Sequence, residues 1–267
     1  TAAGYDALKS NTTGTQNDAF GYTAMTASTT GNYNAAFGAL SAVSLNGGNR
    51  NTFCGNSAGS GLTTGSDNTF LGYKAGNATT TADNNVAIGK EALFTNTTGA
   101  QNIAIGRQAL HDATANYNVA IGYLAMAVTT TGEHNVAVGA FALDANTTAS
   151  KSTAIGYAAL SANTTGGENT AIGYQTLKLN TANSNTAIGA YAMDANTTGG
   201  DCCAIGSQAL GANTTGDNNT AMGVSALGAN TTGTQNTAVG SQALDAGNHS
   251  NCNAFGYQAL SANTTGA

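Results

Sequence analysis

The side chains best suited to acid–base, nucleophilic or metal chemistry are His111, His134 and His249, Asp144, Asp194 and Asp245, and Cys54, Cys202, Cys203 and Cys252. Covalent or proton-transfer catalysis needs a nucleophile, a base and an orienting group brought together. The histidines fall in loop positions of different repeats, with no such set recurring around them. The three aspartates share one column of the repeat described below but are separated by three coils each, too far to share an ion. The calcium-binding nonapeptide pattern is absent. We therefore expect no catalytic residue, no cofactor and no metal, and a protein that is not an enzyme. Cys202 and Cys252 are also three coils apart, roughly 14 Å, beyond disulfide reach. Free buried thiols and bonds between chains both remain open for the cysteines, and Cys54 reads as a small core residue.

Hydroxyls and amides are far more abundant. Asn-Thr-Thr recurs, with Asn146 and Thr148, Asn163 and Thr165, and Asn196 and Thr198 as examples. Each matches the N-glycosylation acceptor pattern, and a column of Thr could bind ice or polysaccharide. Asn-Thr-Thr-Gly is also good turn chemistry. Tyrosines such as Tyr73, Tyr123 and Tyr157 recur intermittently and could cover a coil edge or contact a glycan.

Composition narrows the partners. Charged residues make up 7% of the 267 residues and the net charge is −6, where about 25% charged is usual. With no basic surface to neutralise phosphates, a nucleic-acid partner is not expected. No apolar run approaches the roughly 20 residues of a membrane helix, so this segment should not insert in a membrane.

What must position these residues is a repeat. A Gly recurs at positions 4, 21, 38, 55, 72, 89, 106, 122, 139, 156, 173, 189, 206, 223, 240 and 256, giving twelve spacings of 17 and three of 16. Counting from that Gly as zero, position −4 is Asn in twelve of fifteen coils, among them Asn85, Asn102, Asn135, Asn169, Asn185 and Asn219. Position −2 is Ala in fourteen of sixteen, and −1 is always apolar, as at Ile88, Ile105, Ile155, Ile172 and Ile188. Position +3 is Ala in fourteen of sixteen and +4 is Leu or Met in thirteen, for instance Leu93, Leu160 and Leu210. The three short repeats each lose one residue from the Asn-Thr-Thr-Gly turn, which is expected to bulge outward.

Recurrent Gly, Asn and Thr weaken a helical reading. Short strands separated by Gly and Asn turns fit better. We expect an all-β parallel β-solenoid, or β-roll, of about sixteen coils over residues 1–267, one continuous array forming a rod roughly 75 Å long. Thr-Ala-Ile-Gly should form one strand of each coil and Ala-Leu a second. The Ile and Leu columns should fill the interior with a ladder of stacked Asn, and the Ala columns should point outward, kept small by the approach of another chain. The chain starts and stops within a repeat, as a segment of a longer protein would.

Asn169-Thr170-Ala171-Ile172-Gly173 and its copies resemble the Asn-Ser-Val-Ala-Ile-Gly head repeats of YadA-like trimeric autotransporter adhesins, and are similar to repeat arrays of phage tail fibres and bacterial surface proteins. The resemblance covers the whole chain; it departs in its longer coil and its Asn-Thr-Thr-Gly turn. It implies a left-handed roll, a homotrimer or fibre, an extracellular, cell-surface or virion-fibre location, and a host surface, glycan or matrix ligand. The expected function is a structural fibre, stalk or adhesin segment, with an ice- or polysaccharide-binding solenoid using the Thr-Thr column as the alternative.

Overall fold

A computed structural model describes residues 1–264. The expected class is right: the protein is an all-β parallel β-solenoid whose strands recur at the repeat spacing. The chain forms two compact units, Thr1–His134 and Asn135–Ala267.

The first unit carries β1 (Ala2–Ala3), β2 (Asp18–Phe20), β3 (Ala35–Phe37), β4 (Thr52–Cys54), β5 (Thr69–Leu71), β6 (Val86–Ile88), β7 (Ile103–Ile105) and β8 (Val119–Ile121). The second carries β9 (Val136–Val138), β10 (Thr153–Ile155), β11 (Thr170–Ile172), β12 (Thr186–Ile188), β13 (Cys203–Ile205), β14 (Thr220–Met222), β15 (Thr237–Val239) and β16 (Asn253–Phe255). Within each unit every strand pairs in parallel with the next and like residues stand on like. Ala87 meets Ala104 and Ile88 meets Ile105, and Ala154 meets Ala171 and Ile155 meets Ile172.

Alternation along these strands runs opposite to expectation. The Ala column is fully buried, as at Ala87, Ala104, Ala154, Ala171 and Ala187. The neighbouring Ile88, Ile105 and Ile172 are only half-buried, and Ile155 and Ile188 are exposed. Successive strand residues point to opposite faces, so Asn at −4 and Ala at −2 share the inner face, and no bend is needed to bury the Asn. Ala is kept small by the cross-section of the coil, not by another chain outside it. Phe53 and Phe70 show how tight that cross-section is: where these larger residues take the Ala position, the facing +4 residue is Gly59 or Gly76, on which a Cβ would run into the ring.

Ala-Leu does not form a second strand. Glu91 and Leu93 have φ of 56° and 53°, and Gln108 and Leu110 have 58° and 48°. Left-handed residues alternating with their neighbours wind the chain so that adjacent Ala92 and Leu93 are both fully buried, which an extended strand cannot do. Placing a non-Gly residue there costs about 1–2 kcal/mol. Full burial of Leu, worth about 1.5–3 kcal/mol, offsets this, and the Leu93 amide is satisfied by Ala109 in the next coil at 3.0 Å. Leu93, Leu160 and Leu210 thus occupy the interior as expected.

Candidate interaction face

Most amides that the repeat singles out are interior. Asn85, Asn102, Asn135, Asn169, Asn185 and Asn219 are fully buried. The Asn85 amide N–H donates to Asn68 Oδ1 at 3.0 Å, Asn85 Nδ2 donates to the Gly99 carbonyl at 3.0 Å, and Asn85 Oδ1 accepts from the Asn102 N–H at 2.9 Å. Asn185 repeats the pattern with Asn169, Gly199 and Cys202. Each amide therefore bonds along the stack and across to the turn, and this column is a structural ladder.

A second ladder was not anticipated. Asn146, Asn163 and Asn196 are also fully buried, so their Nδ2 atoms do not offer themselves for glycosylation in the folded chain. Asn196 Nδ2 donates to Asn180 Oδ1 at 2.7 Å, Asn213 Nδ2 to Asn196 Oδ1 at 2.8 Å and Asn230 Nδ2 to Asn213 Oδ1 at 3.2 Å. Each also closes its own turn, as Asn163 does on Gly166 through Nδ2 at 2.8 Å and Oδ1 at 3.1 Å. One signal in the sequence could have revealed this. Leu45 and Leu62 stand in the same column as Asn146 and Asn163, and a column that accepts both Leu and Asn is an interior one.

The turn is consequently packed at its Gly and open only at its Thr pair. Thr148, Thr165 and Thr198 are exposed. The first Thr of the pair, as at Thr147, Thr197 and Thr214, donates its hydroxyl to a carbonyl of the next coil at 2.9–3.0 Å. The three shortened turns keep the buried carbonyl that accepts the ladder amide, at Ala115, Ala182 and His249. The missing residue comes from the Thr pair.

The reactive groups are dispersed. His134 stacks on Tyr117 with centroids 4.8 Å apart, His111 Nδ1 lies 2.7 Å from Asp112 Oδ1, and His249 is buried with neither ring nitrogen hydrogen-bonded. Burial raises the carboxyls of Asp144 and Asp194 above the usual carboxylate range, with the Lys178 charge pulling Asp194 the other way. Asp194 and Asp245 line one open groove whose floor includes Gly211 and Gly228. Among the described residues no three His, Cys, Asp or Glu could hold a metal ion together, and no helix is long and apolar enough to cross a membrane. All four cysteines are free. Cys202 and Cys252 are buried, but Cys54 is exposed, because its column is the outward one and not the core.

What remains at the surface is the outer side of the strands. Position −1 presents Phe20, Phe37, Cys54, Leu71 and Ile121 in the first unit and Ile155, Ile188 and Met222 in the second, with Phe20 and Phe37 stacked at 5.0 Å. Position −3 beside it is Thr, Val, Ile, Ala, Cys or Asn in every strand but one, where Asp18 stands. Position +1 adds exposed tyrosines, of which Tyr5 and Tyr22 stack at 5.5 Å and Tyr157 and Tyr174 at 5.3 Å. Positions −3 and −1 together make an almost uncharged, apolar strip repeating at the pitch of the sheet, and the +1 row borders it. No family model, curated protein or solved structure matches the chain.

Proposed function

We propose that this chain is a structural segment of an extracellular fibre, stalk or adhesin, displayed at a cell or virion surface, and that its outward strand face packs against further copies of itself. The observation that carries the reading is the exposed aliphatic column. Ile155, Ile188 and Met222 are 38%, 37% and 41% exposed and recur at one position of the coil, with the half-buried Ile172 and Ile205 between them. Contiguous apolar surface of this kind marks an interaction site. Its period is that of the chain, so a second copy in register supplies the matching partner surface, as closed symmetric assemblies do. The resemblance to trimeric adhesin repeats sets the number of copies at three. Because each coil stacks on the last within a unit, length grows by about 4.8 Å per coil with no change in cross-section, which suits a spacer.

Sedimentation equilibrium tests the assembly. A mass of three chains is expected, and a mass of one chain, 26.2 kDa, with intact β-structure overturns the homotrimer. Replacing Ile155, Ile172 and Ile188 with Asp should dissociate the assembly and leave each coil folded, because these side chains point away from the interior. Ala171→Leu should instead disrupt the coil itself by overpacking, at about 1–3 kcal/mol or more.

A further inference from the structure

The chain has only seven Lys and Arg residues, and three of them fall in consecutive coils of the first unit. Lys74 follows Tyr73 after β5, Lys90 stands at the Tyr73 column position after β6, and Arg107 stands there after β7, followed by Tyr123 after β8. Elsewhere that column is Tyr, Ala, Ser, Asn or Val. The +1 row therefore reads Tyr73, Lys90, Arg107, Tyr123 over three steps of the stack, about 14 Å.

These cations are held differently from three of the remaining four. Lys9, Arg50 and Lys151 each pair with a carboxylate, at 3.0, 2.6 and 3.4 Å. Lys74 and Arg107 have no carboxylate at salt-bridge distance among the described residues. Lys74 Nζ lies over the Tyr73 and Phe94 rings, 5.3 and 5.9 Å from their centroids, and Arg107 lies 5.6 Å over Tyr123. Lys90 Nζ is 5.9 Å over Tyr73 and reaches Glu91 only at 3.8 Å, while the other oxygen of Glu91 accepts from Gln108 at 3.1 Å. The nearby Asp112 is engaged by His111. An aromatic ring positions a cation without neutralising it. Like charges side by side repel, and among the described residues the one carboxylate within ion-pair distance of either Lys90 or Arg107 is Glu91, 3.8 Å from Lys90 Nζ. Tyr73 and Tyr123 are 45% and 40% exposed, and Lys90 and Arg107 are exposed with them.

We propose that Lys74, Lys90 and Arg107 form a binding site for a linear anionic polysaccharide lying along the stacking direction, its carboxylate or sulfate groups on the cations. The inference rests on the reading of the chain as a surface-displayed segment and supplies that reading with a ligand class. Arg offers a planar fork to a carboxylate or sulfate and Lys a compact charge, and the tyrosine hydroxyls add a polar edge for sugar hydroxyls. A nucleic acid is disfavoured, since three phosphate contacts against a net charge of −6 give little of the counterion release that drives such binding.

The test is titration of the full chain with oligogalacturonate, a heparin-derived oligosaccharide, a neutral malto-oligosaccharide of equal length and a single-stranded oligonucleotide. The variant is K74Q/K90A/R107S, whose replacements already occur in the same columns at Gln108, Ala140 and Ser207. The control, K9Q/R50Q/K151Q, removes the same number of charges elsewhere. One of the two anionic saccharides should bind, the neutral one should not, and the variant should weaken binding at least about tenfold while the control changes it less than about twofold. Preference between galacturonate and heparin distinguishes carboxylate from sulfate recognition. No saccharide binding, equal loss in variant and control, or tighter binding of the oligonucleotide overturns the proposal. Sedimentation of the same variant keeps the two readings separate, because these substitutions leave the Ile column intact.

Discussion

The Phe53 ring fills the space that the missing side chain of Gly59 leaves open: a Cβ on Gly59 would stand 2.5 Å from Phe53 Cδ1. Phe70 and Gly76 repeat the arrangement one coil on. Most other coils place Ala at −2 and Leu or Met at +4, so a large and a small residue have exchanged places across one interior. Phe53→Ala should lower stability by about 3–5 kcal/mol by leaving a cavity. Gly59→Ala, ordinarily stabilising, should destabilise here, because φ is +59° and the ring is in the way. Urea denaturation of both single variants and the double should show coupling, with the double less destabilised than the sum; strict additivity would contradict this packing.

Asn85 makes three ladder contacts in a fully buried position. Asn85→Ala leaves the Asn102 N–H without its partner, costing about 1–3 kcal/mol, whereas the Gly99 carbonyl keeps its bond from Asn96 Nδ2 at 2.7 Å. Asn85→Ser, which copies Ser152 in the same column, should be milder. Hydrogen exchange should show the loss concentrated at Asn102 and its neighbours, and uniform exchange across the unit would count against a locally acting ladder.

Asp144 and Asp194 give stability a defined pH dependence. Burial raises both carboxyls above their ordinary 3.8, so their contribution is fully present below about that pH and is lost as pH rises through the folded value. The exposed Asp67, lowered by Arg50, acts in the opposite sense, losing its contribution as pH falls. Asp144→Asn with Asp194→Asn should therefore be more stable than the parent at neutral pH, and the difference should vanish in acid. Urea midpoints from about pH 3.5 to 7 measure this, and a constant difference would exclude the mechanism.

Thiol reactivity should sort the cysteines by face. Burial pushes the Cys202 thiol up to about 11, so almost no thiolate exists near neutrality, whereas Cys54 is exposed on the outward strand face. Iodoacetamide followed by peptide mass mapping should label Cys54 in the folded chain once the assembly of copies is dissociated, as by the Asp substitutions at Ile155, Ile172 and Ile188, and reach Cys202 only after denaturation. Native labelling of Cys202 would show that its coil opens.

The sequence by itself determined the coil length, the parallel in-register stacking, the turn positions and the Asn ladder at −4, because a 17-residue period with identical residues on identical positions has few other ways to satisfy its backbone. It left open which side of the strand faces inward. Ala171 and Ile172 are adjacent and both apolar, so the period-2 pattern is the same whichever is buried. The tertiary structure decided it through cross-section: the interior holds Phe53 or Phe70 at −2 only where +4 shrinks to Gly59 or Gly76, so opposite a Leu or Met the small Ala goes in and Ile goes out. The left-handed φ of Leu93 and Leu110 was hidden for a similar reason, since propensity opposes it and only burial within a closed coil compensates. Asn163 read as a turn residue or glycan acceptor because its local triplet is the same either way; its burial follows from Asn180 and Asn196 standing in the same column of neighbouring coils.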